Sequence, residues 1–258
     1  MYTVTHGTFR TPRGRQVTMA YRTDSSDYNT VNACLSEDEY GLRDVHLGAT
    51  TAFDVGAHIG GVTVALLADN PELRVVAVEP VPGNVELLRE NVERNGLADR
   101  AQIIQGAVGD GTSVSVWHGY RGNENAEHHA FIGNSSLAYD HGGEGEHDET
   151  QYVSIRLADF VNLLDVERHG PWTDNGGPSE THQHVDTTYI DWLKIDTEGA
   201  EWTFLASPER WRLRYIVGEW HPVRGKTRAD LLAILGDTHE VAFTGPEGGP
   251  GGFTAVAK

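Results

Sequence analysis

The segment Tyr189-Ile190-Asp191-Trp192-Leu193-Lys194-Ile195-Asp196-Thr197-Glu198-Gly199-Ala200-Glu201 decides how this chain reads. Its first half, Tyr189 to Ile195, predicts a buried strand. Asp196 stops that strand, Glu198 and Gly199 fall in the turn, and a helix follows near Glu201 to Ala206. Apolar strands seldom carry Lys and Asp at their C-terminal ends, because burying unpaired charge is costly. In open α/β sheets, ligands bind at the carboxyl ends of the strands. The segment therefore predicts a sheet and a site at its edge.

A second strand-turn-helix lies far upstream, at Phe53-Asp54-Val55-Gly56-Ala57-His58-Ile59-Gly60-Gly61. Thr51 to Val55 predicts the strand, Gly56 to Gly61 a tight turn, and Val62 to Ala68 a helix. The next strand, Arg74 to Val78, ends at Glu79-Pro80. Pro82 suits a first helical turn, and Asn95-Gly96 stops that helix. Gln102 to Val108 is a third strand, and Asp110-Gly111 turns the chain into Ser113 to Trp117. Strand and helix alternating at this spacing predict a parallel sheet with right-handed crossovers. Tyr152 to Leu157 resumes a strand, followed by a short helix to about Val166. Tyr215 to Val217 is a strand and Thr227 to Leu235 a helix. A closing hairpin, His239 to Phe243 with Phe253 to Ala257, adds one antiparallel strand.

Residues 1–50 read as an N-terminal extension. Thr8 to Tyr21 suggests a hairpin through Pro12-Arg13-Gly14, and the acids of Ser36-Glu37-Asp38-Glu39 suit the start of a short helix to Leu47. Residues 51–258 form the main domain, with irregular insertions expected at 119–150 and 169–188. A chain of 258 residues suits one such α/β domain. The lone Cys34 excludes an internal disulfide framework and a cysteine-based metal cluster, and reads as an ordinary thiol.

The net charge is -18, from 38 acidic and 20 basic residues. That balance opposes a nucleic-acid or anionic-membrane surface, which needs a basic footprint. Met1 to Ala20 lacks the apolar stretch of a signal peptide, and no run is long enough to span a bilayer. The expectation is a soluble, cytoplasmic protein whose partner is a small molecule.

Gly56 and Gly60 let the backbone approach a ligand. Asp54 is placed to accept from a cationic amine. Glu79 follows Gly60 by about 20 residues, where an acid pairs with ribose hydroxyls. A nicotinamide dinucleotide fits poorly. Its fingerprint wants a second Gly where this chain has His58, and Asp54 is awkward beside a diphosphate. S-adenosylmethionine, with a ribose and an amine but no phosphate, fits better. Glycines placed only for packing are the bland alternative.

Three segments together resemble the FkbM-type methyltransferases: Phe53 to Gly60, Val78-Glu79-Pro80, and Leu193 to Glu201. The resemblance covers roughly residues 35–222. The first segment alone indicates only a class I methyltransferase; Lys194-Ile195-Asp196-Thr197-Glu198-Gly199-Ala200-Glu201 is more specific. The resemblance implies a Rossmann-like, mostly parallel seven-stranded sheet with S-adenosylmethionine as methyl donor. It implies transfer most often to oxygen, and sometimes to nitrogen, of a natural product, sugar or peptide. By the same matching Asp54, Gly56 and Gly60 surround the methionine part, and Glu79 holds the ribose. Pro80 and Asn84 lie nearby, Gly106 and Ala107 border the adenine, and Asn134 and Ser135 face the cofactor or acceptor. The family commonly has Asn where this chain has His58, which leaves the role of that cofactor-site position open.

Methyl transfer is an in-line displacement at a sulfonium carbon, so alignment carries much of the rate. A hydroxyl acceptor must also lose a proton. The candidates are Asp196 and Glu198 at one strand end, and Glu219 and His221 at the next. Lys194 shares a strand face with Asp196 and is placed to neutralise the acids. His221 is the favoured base, since an imidazole titrates near neutrality. A divalent-metal site at Asp196, Glu219 and His221 is the alternative, not favoured. The insertion histidines His118, His128, His129, His141 and His147 lack a short metal-binding spacing and read as solvated. Trp192 and Trp220 are core residues or platforms for an acceptor ring. The expected function is O-methylation of a small molecule. N-methylation is the runner-up, with a nucleotide-dependent oxidoreductase and a non-catalytic binding module as other classes.

Overall fold

The computed structural model describes residues 3–46, 48–121, 146–161, 189–247 and 250–258. An antiparallel hairpin, β1 (Val4–Arg10) and β2 (Gln16–Arg22), comes first, followed by the short helix α1 (Asp27–Asn32). The core then runs β3 (Thr51–Val55), α2 (Gly61–Asp69), β4 (Arg74–Glu79), α3 (Pro82–Arg94) and β5 (Ala101–Gln105). A second hairpin, β6 (Ser113–Arg121) with β7 (Glu146–Val153), stands apart from the main sheet. The chain returns to that sheet through β8 (Trp192–Ile195), α4 (Glu201–Leu205), β9 (Tyr215–Trp220), α5 (Arg228–Leu235), β10 (His239–Phe243) and β11 (Gly251–Ala257).

The main sheet has seven strands in the order β10-β11-β9-β8-β3-β4-β5. Only β11 runs antiparallel to its neighbours, as the sequence predicts. Its central strands are buried on both faces, so they read as continuous apolar runs. The period-2 alternation still sorts them. Ala52, Val75, Ala77, Trp192 and Val217 pack in one apolar cluster, with α2, α3 and the first hairpin. Phe53, Val55, Val76, Val78, Leu193, Ile195 and Ile216 pack in the other, with Trp202, Phe204 and Leu235. Val85, Leu88 and Val92 form the buried stripe of α3, behind Pro82 in its first turn. Thr227 and Asp230 close a capping box at the start of α5.

The structure corrects several expected boundaries. Ser36 to Glu39 does not begin a helix. The helical turn comes earlier, α1 continued by a π-helical stretch Ala33–Glu37, and Asp38 ends it with φ 57. Between Leu42 and Asp44 there is only a 3-10 turn. The strand expected over Gln102 to Val108 ends at Gln105, with an isolated bridge from Val108 to Ile155. The insertion expected at 119–150 is narrower, since β6 extends to Arg121 and β7 begins at Glu146. The helix expected to Val166 is described only over 157–161, and the 169–188 insertion lies outside the described residues. Among the described residues, no helix is long and apolar enough to cross a membrane.

Candidate active site

From β3 the chain proceeds outward through β4 and β5, and later comes back to pair β8 on the other flank of β3. Such a reversal opens a crevice at the carboxyl ends of the strands. A cleft lies there, walled by the turns after β3, β4, β5 and β8 and closed on one side by Thr30, Val31, Cys34 and Tyr40 of the N-terminal segment. The turns are laced together. Gly56 and Ala57 both donate to the Val78 carbonyl, Gly106 to that of Glu79, and Asp196 to that of Val55. Gly56 has φ 80, and a Cβ there would sit 1.8 Å from the Asp196 carbonyl oxygen, so only glycine fits.

At one end of the cleft stands Glu79, 3% exposed. Its Oε2 accepts the backbone N–H of His58 at 2.9 Å; its Oε1 accepts from Val81 N–H at 2.9 Å and Asn84 Nδ2 at 3.2 Å. Burial pushes this carboxyl up, against those donors. His58, Pro80, Gly106 and Ala107 line the same end. Asn84 and Gly60 stand behind the wall; Gly60 holds φ 92, and a Cβ there would meet the Leu88 side chain at 2.5 Å, so the turn and its packing both call for glycine.

Asp54 corrects an expectation. It is fully buried and does not line the cleft. Its Oδ2 accepts from Thr63 at 2.6 Å, and its Oδ1 lies 3.7 Å from the Lys194 ammonium. The cation it faces therefore belongs to this chain. Lys194 also donates to the Gly56 carbonyl and lies beneath the Tyr40 ring, 5.3 Å from its centroid. Asp54 and Asp196 hold its pKa up despite burial.

At the other end Asp196 and Glu198 line the cleft. Tyr40 donates to Asp196 at 3.0 Å, and its phenol is held well above the usual range by burial and by Asp196. Glu198 adopts φ 52, unusual for a non-glycine residue. Behind these acids lies His221, 3% exposed. Its Nδ1 is 3.1 Å from Glu201, and its Nε2 faces Glu198 at 3.3 Å, Glu219 at 3.8 Å and Asp196 at 4.0 Å. Burial pushes Glu198 up to about 7, with Asp196 adding to it. Glu219 likewise rises to about 7 through burial and Asp196.

His221 does not have the near-neutral pKa that favoured it as the base. Burial alone works to lower it. The hydrogen bond to Glu201 and the surrounding carboxylates outweigh that and raise it to about 9, so the ring carries its proton at pH 7. Ligand atoms of Asp196, Glu219 and His221 lie within 4.8 Å of one another, a spacing one metal ion could bridge.

The structure thus brings Glu79, His58, Pro80, Gly106, Ala107, Gly56, Lys194 and Asp196 to one cleft, with Glu219 and His221 directly behind. Asn134 and Ser135 lie outside the described residues. Trp192 and Trp220 are core residues, 3% and 1% exposed, rather than platforms. Cys34 lines the cleft, but burial holds its thiol well above the usual range. Tyr40 and Glu201 escaped sequence reasoning as site residues. Glu201 had a signal in the Glu-Gly-Ala-Glu string; Tyr40 had none, because its partner lies 156 positions away.

The strand order, the switch point and the ribose-spaced acid define a class I methyltransferase architecture. The FkbM methyltransferase domain family matches residues 54–242, and the chain belongs to that family of S-adenosylmethionine-dependent methyltransferases. An O-methyltransferase of Aspergillus flavus, imqG, is 36% identical over 64 residues, covering 24% of this chain and 26% of that protein. The match thus spans about a quarter of this curated relative. Solved structures with a similar outline include precorrin-6y C5,15-methyltransferase from Geobacter metallireducens. It has 13% identity and a TM-score of 0.45, over 87% of this chain and 88% of that one. The T. thermophilus 16S rRNA N2 G1207 methyltransferase has 13% identity and a TM-score of 0.49, over 100% of this chain and 52% of that one. Likeness at this level says nothing of the acceptor.

Proposed function

We propose that this protein transfers the methyl group of S-adenosylmethionine to a hydroxyl of a small natural-product acceptor. One observation carries the reading. A single cleft has a hydrogen-bonded acid, Glu79, at one end and a carboxylate raised to about 7, Glu198, at the other. Glu79 takes the ribose hydroxyls. Gly106 and Ala107 border the adenine, and the Gly56 turn approaches the methionine part. Asp54 acts from behind that turn by fixing Lys194. Glu198, at the cleft wall with a pKa near the working pH, removes the acceptor's proton as the carbon–oxygen bond forms. Protonated His221 supplies the positive charge that keeps four carboxylates together. The O-methyltransferase that matches over 64 residues agrees with oxygen as acceptor atom. The net charge of -18 opposes a nucleic-acid acceptor.

Titration calorimetry tests the cofactor half. S-adenosylhomocysteine binds wild type and loses at least about tenfold in affinity in Glu79→Ala; NADH does not bind. Tight NADH binding, or unchanged affinity in the variant, removes the reading. A second reading rests on the spacing of Asp196, Glu219 and His221, in which a divalent ion bridges them and orients the acceptor oxygen. It requires activity to vanish after exhaustive chelation and to return with metal; undiminished turnover eliminates it.

A further inference from the structure

We propose that Arg22 and Asp27, which lie outside the matched family region, are positioning residues of the ribose site. Each holds one oxygen of Glu79 through one intermediate residue. The inference rests on the reading of Glu79 as the ribose acid.

Arg22 ends β2 and is 5% exposed; Asp27 opens α1 and is fully buried. The Arg22 guanidinium grips Asp27 with two bonds, Nε to Oδ2 at 2.7 Å and Nη2 to Oδ1 at 2.8 Å. The Arg22 backbone N–H adds a third, to Oδ2 at 2.9 Å. Burial works to raise the Asp27 carboxyl, but His58 and Arg22 together hold it well below the usual carboxylate range. The pair is therefore a fixed ionic anchor, buried behind the His58 turn that lines the cleft.

Two arms leave this anchor. Along the first, Arg22 Nη2 donates to Asn84 Oδ1 at 2.6 Å. Arg22 has donors only, so it must take the oxygen of that amide. The Asn84 nitrogen is thereby turned toward Glu79, and it donates to Oε1 at 3.2 Å. Along the second arm, Asp27 Oδ1 lies 3.3 Å from His58 Nε2, a close carboxylate–imidazole contact outside hydrogen-bond geometry. His58 holds φ 51, a left-handed conformation that costs a non-glycine residue energy. That conformation aims its backbone N–H at Glu79 Oε2, 2.9 Å away. The tether on the ring holds the backbone that makes this bond.

Remove the anchor, and the Asn84 amide loses the donor that holds its oxygen while the His58 ring loses its carboxylate contact. Of the three donors to Glu79 among the described residues, the Val81 N–H is then the one whose position does not depend on the anchor. A carboxylate that binds vicinal hydroxyls must present both oxygens in a fixed plane, so the loss falls on ribose recognition.

The test uses full-length protein and three probes: S-adenosylhomocysteine and its 2′-deoxy and 3′-deoxy analogues. Wild type should bind the parent at least about tenfold more tightly than the analogue that lacks the hydroxyl Glu79 recognises. In Asp27→Asn that preference should shrink to under about threefold, mainly through weaker binding of the parent. Arg22→Lys loses the two-pronged grip and should shrink it in the same direction; it keeps the test open if Asp27→Asn does not fold. A merely structural role would weaken all three ligands by one factor and leave the preference intact. A preserved preference in folded variants, with or without a uniform loss of affinity, overturns the positioning role. A wild type that binds parent and both analogues equally overturns the ribose reading itself.

Discussion

Glu198 and His58 hold nearly the same left-handed backbone, φ 52 and φ 51, each in the turn after a central parallel strand. Such conformations persist where the surroundings over-determine them, and functional turns are common places for them. For Glu198 the strain sets a carboxylate at the cleft wall, 3.3 Å from His221 Nε2. Glu198→Gln should lower kcat by about a hundredfold or more while S-adenosylhomocysteine affinity stays within about twofold. The pH profile sharpens the point. In wild type kcat/KM should rise as pH passes about 7, where Glu198 sheds its proton, and the variant should lose that limb. Replacing His221 by Gln removes the cation that lowers Glu198, so the same limb should move to higher pH. If instead that variant abolishes the limb outright, the base is His221 and not Glu198. Glu198 was legible as a candidate from its strand-end position. The raised pKa of His221 was not, because Glu201, 3.1 Å from the imidazole, reaches it from another element.

Elements show the same division between local and long-range information. The spans of β3, α2, β4 and α3 match their sequence readings within a residue or two, since turn glycines, Pro82 and unbroken apolar runs are local signals. Helix α1 was missed. It is six residues long, its buried positions are Asp27 and Val31, and that is too little for an apolar stripe. β9 runs three residues beyond its expected end because Gly218 lets it approach β8, where a Cβ would lie 1.9 Å from the Ile195 carbonyl oxygen. The docking of the first hairpin was invisible for another reason. Asn91, fully buried on α3, accepts from Ala20 N–H at 2.6 Å and donates to the carbonyls of Ala20 at 3.1 Å and Ile59 at 2.8 Å. Only a folded chain reveals that one amide serves β2, α3 and the cofactor-side turn. Asn91→Leu keeps the branched outline but strands three buried backbone groups. It should cost about 2–4 kcal/mol, a fall in Tm of roughly 4–16 °C for a chain of this size. Scanning calorimetry measures it, and a loss under 1 °C would show that water or local rearrangement replaces the amide.

For the whole molecule, the parallel sheet with one antiparallel strand follows from local patterns alone, whereas the closing of the cleft by the N-terminal segment does not. Tyr40 meets Asp196 and Arg22 meets Asn84 across 156 and 62 positions, with no pattern in the sequence to pair them. The price of gathering so many acids is a distinctive pH dependence of stability. Glu198 and Glu219 rise from 4.5 to about 7 on folding, so between those pH values the folded chain holds protons that the unfolded chain has released. Stability then falls as pH climbs through that window. His221 rises from 6.5 to about 9, and its contribution, complete below 6.5, drains away as pH approaches 9. The lowered Asp27 acts only below about 4, where its unfolded form takes up a proton, so it does not touch this range. His239 works the other way, since burial lowers it and its neutral form gains stability as pH rises toward 6.5. One opposing imidazole is outnumbered by Glu198 and Glu219, by Glu39 and Glu79, which burial also raises, and by His221, and the growing negative charge of the whole chain adds to the decline. Without cofactor, Tm should therefore be highest near pH 5 and decrease steadily to pH 9. Glu198→Gln should flatten the segment from 5 to 7, because it removes one of the protons retained there, and leave the fall above 7 attributable to His221. A wild-type Tm that is level or increasing from pH 5 to 9 would mean that these acids are relieved in solution by something other than protons.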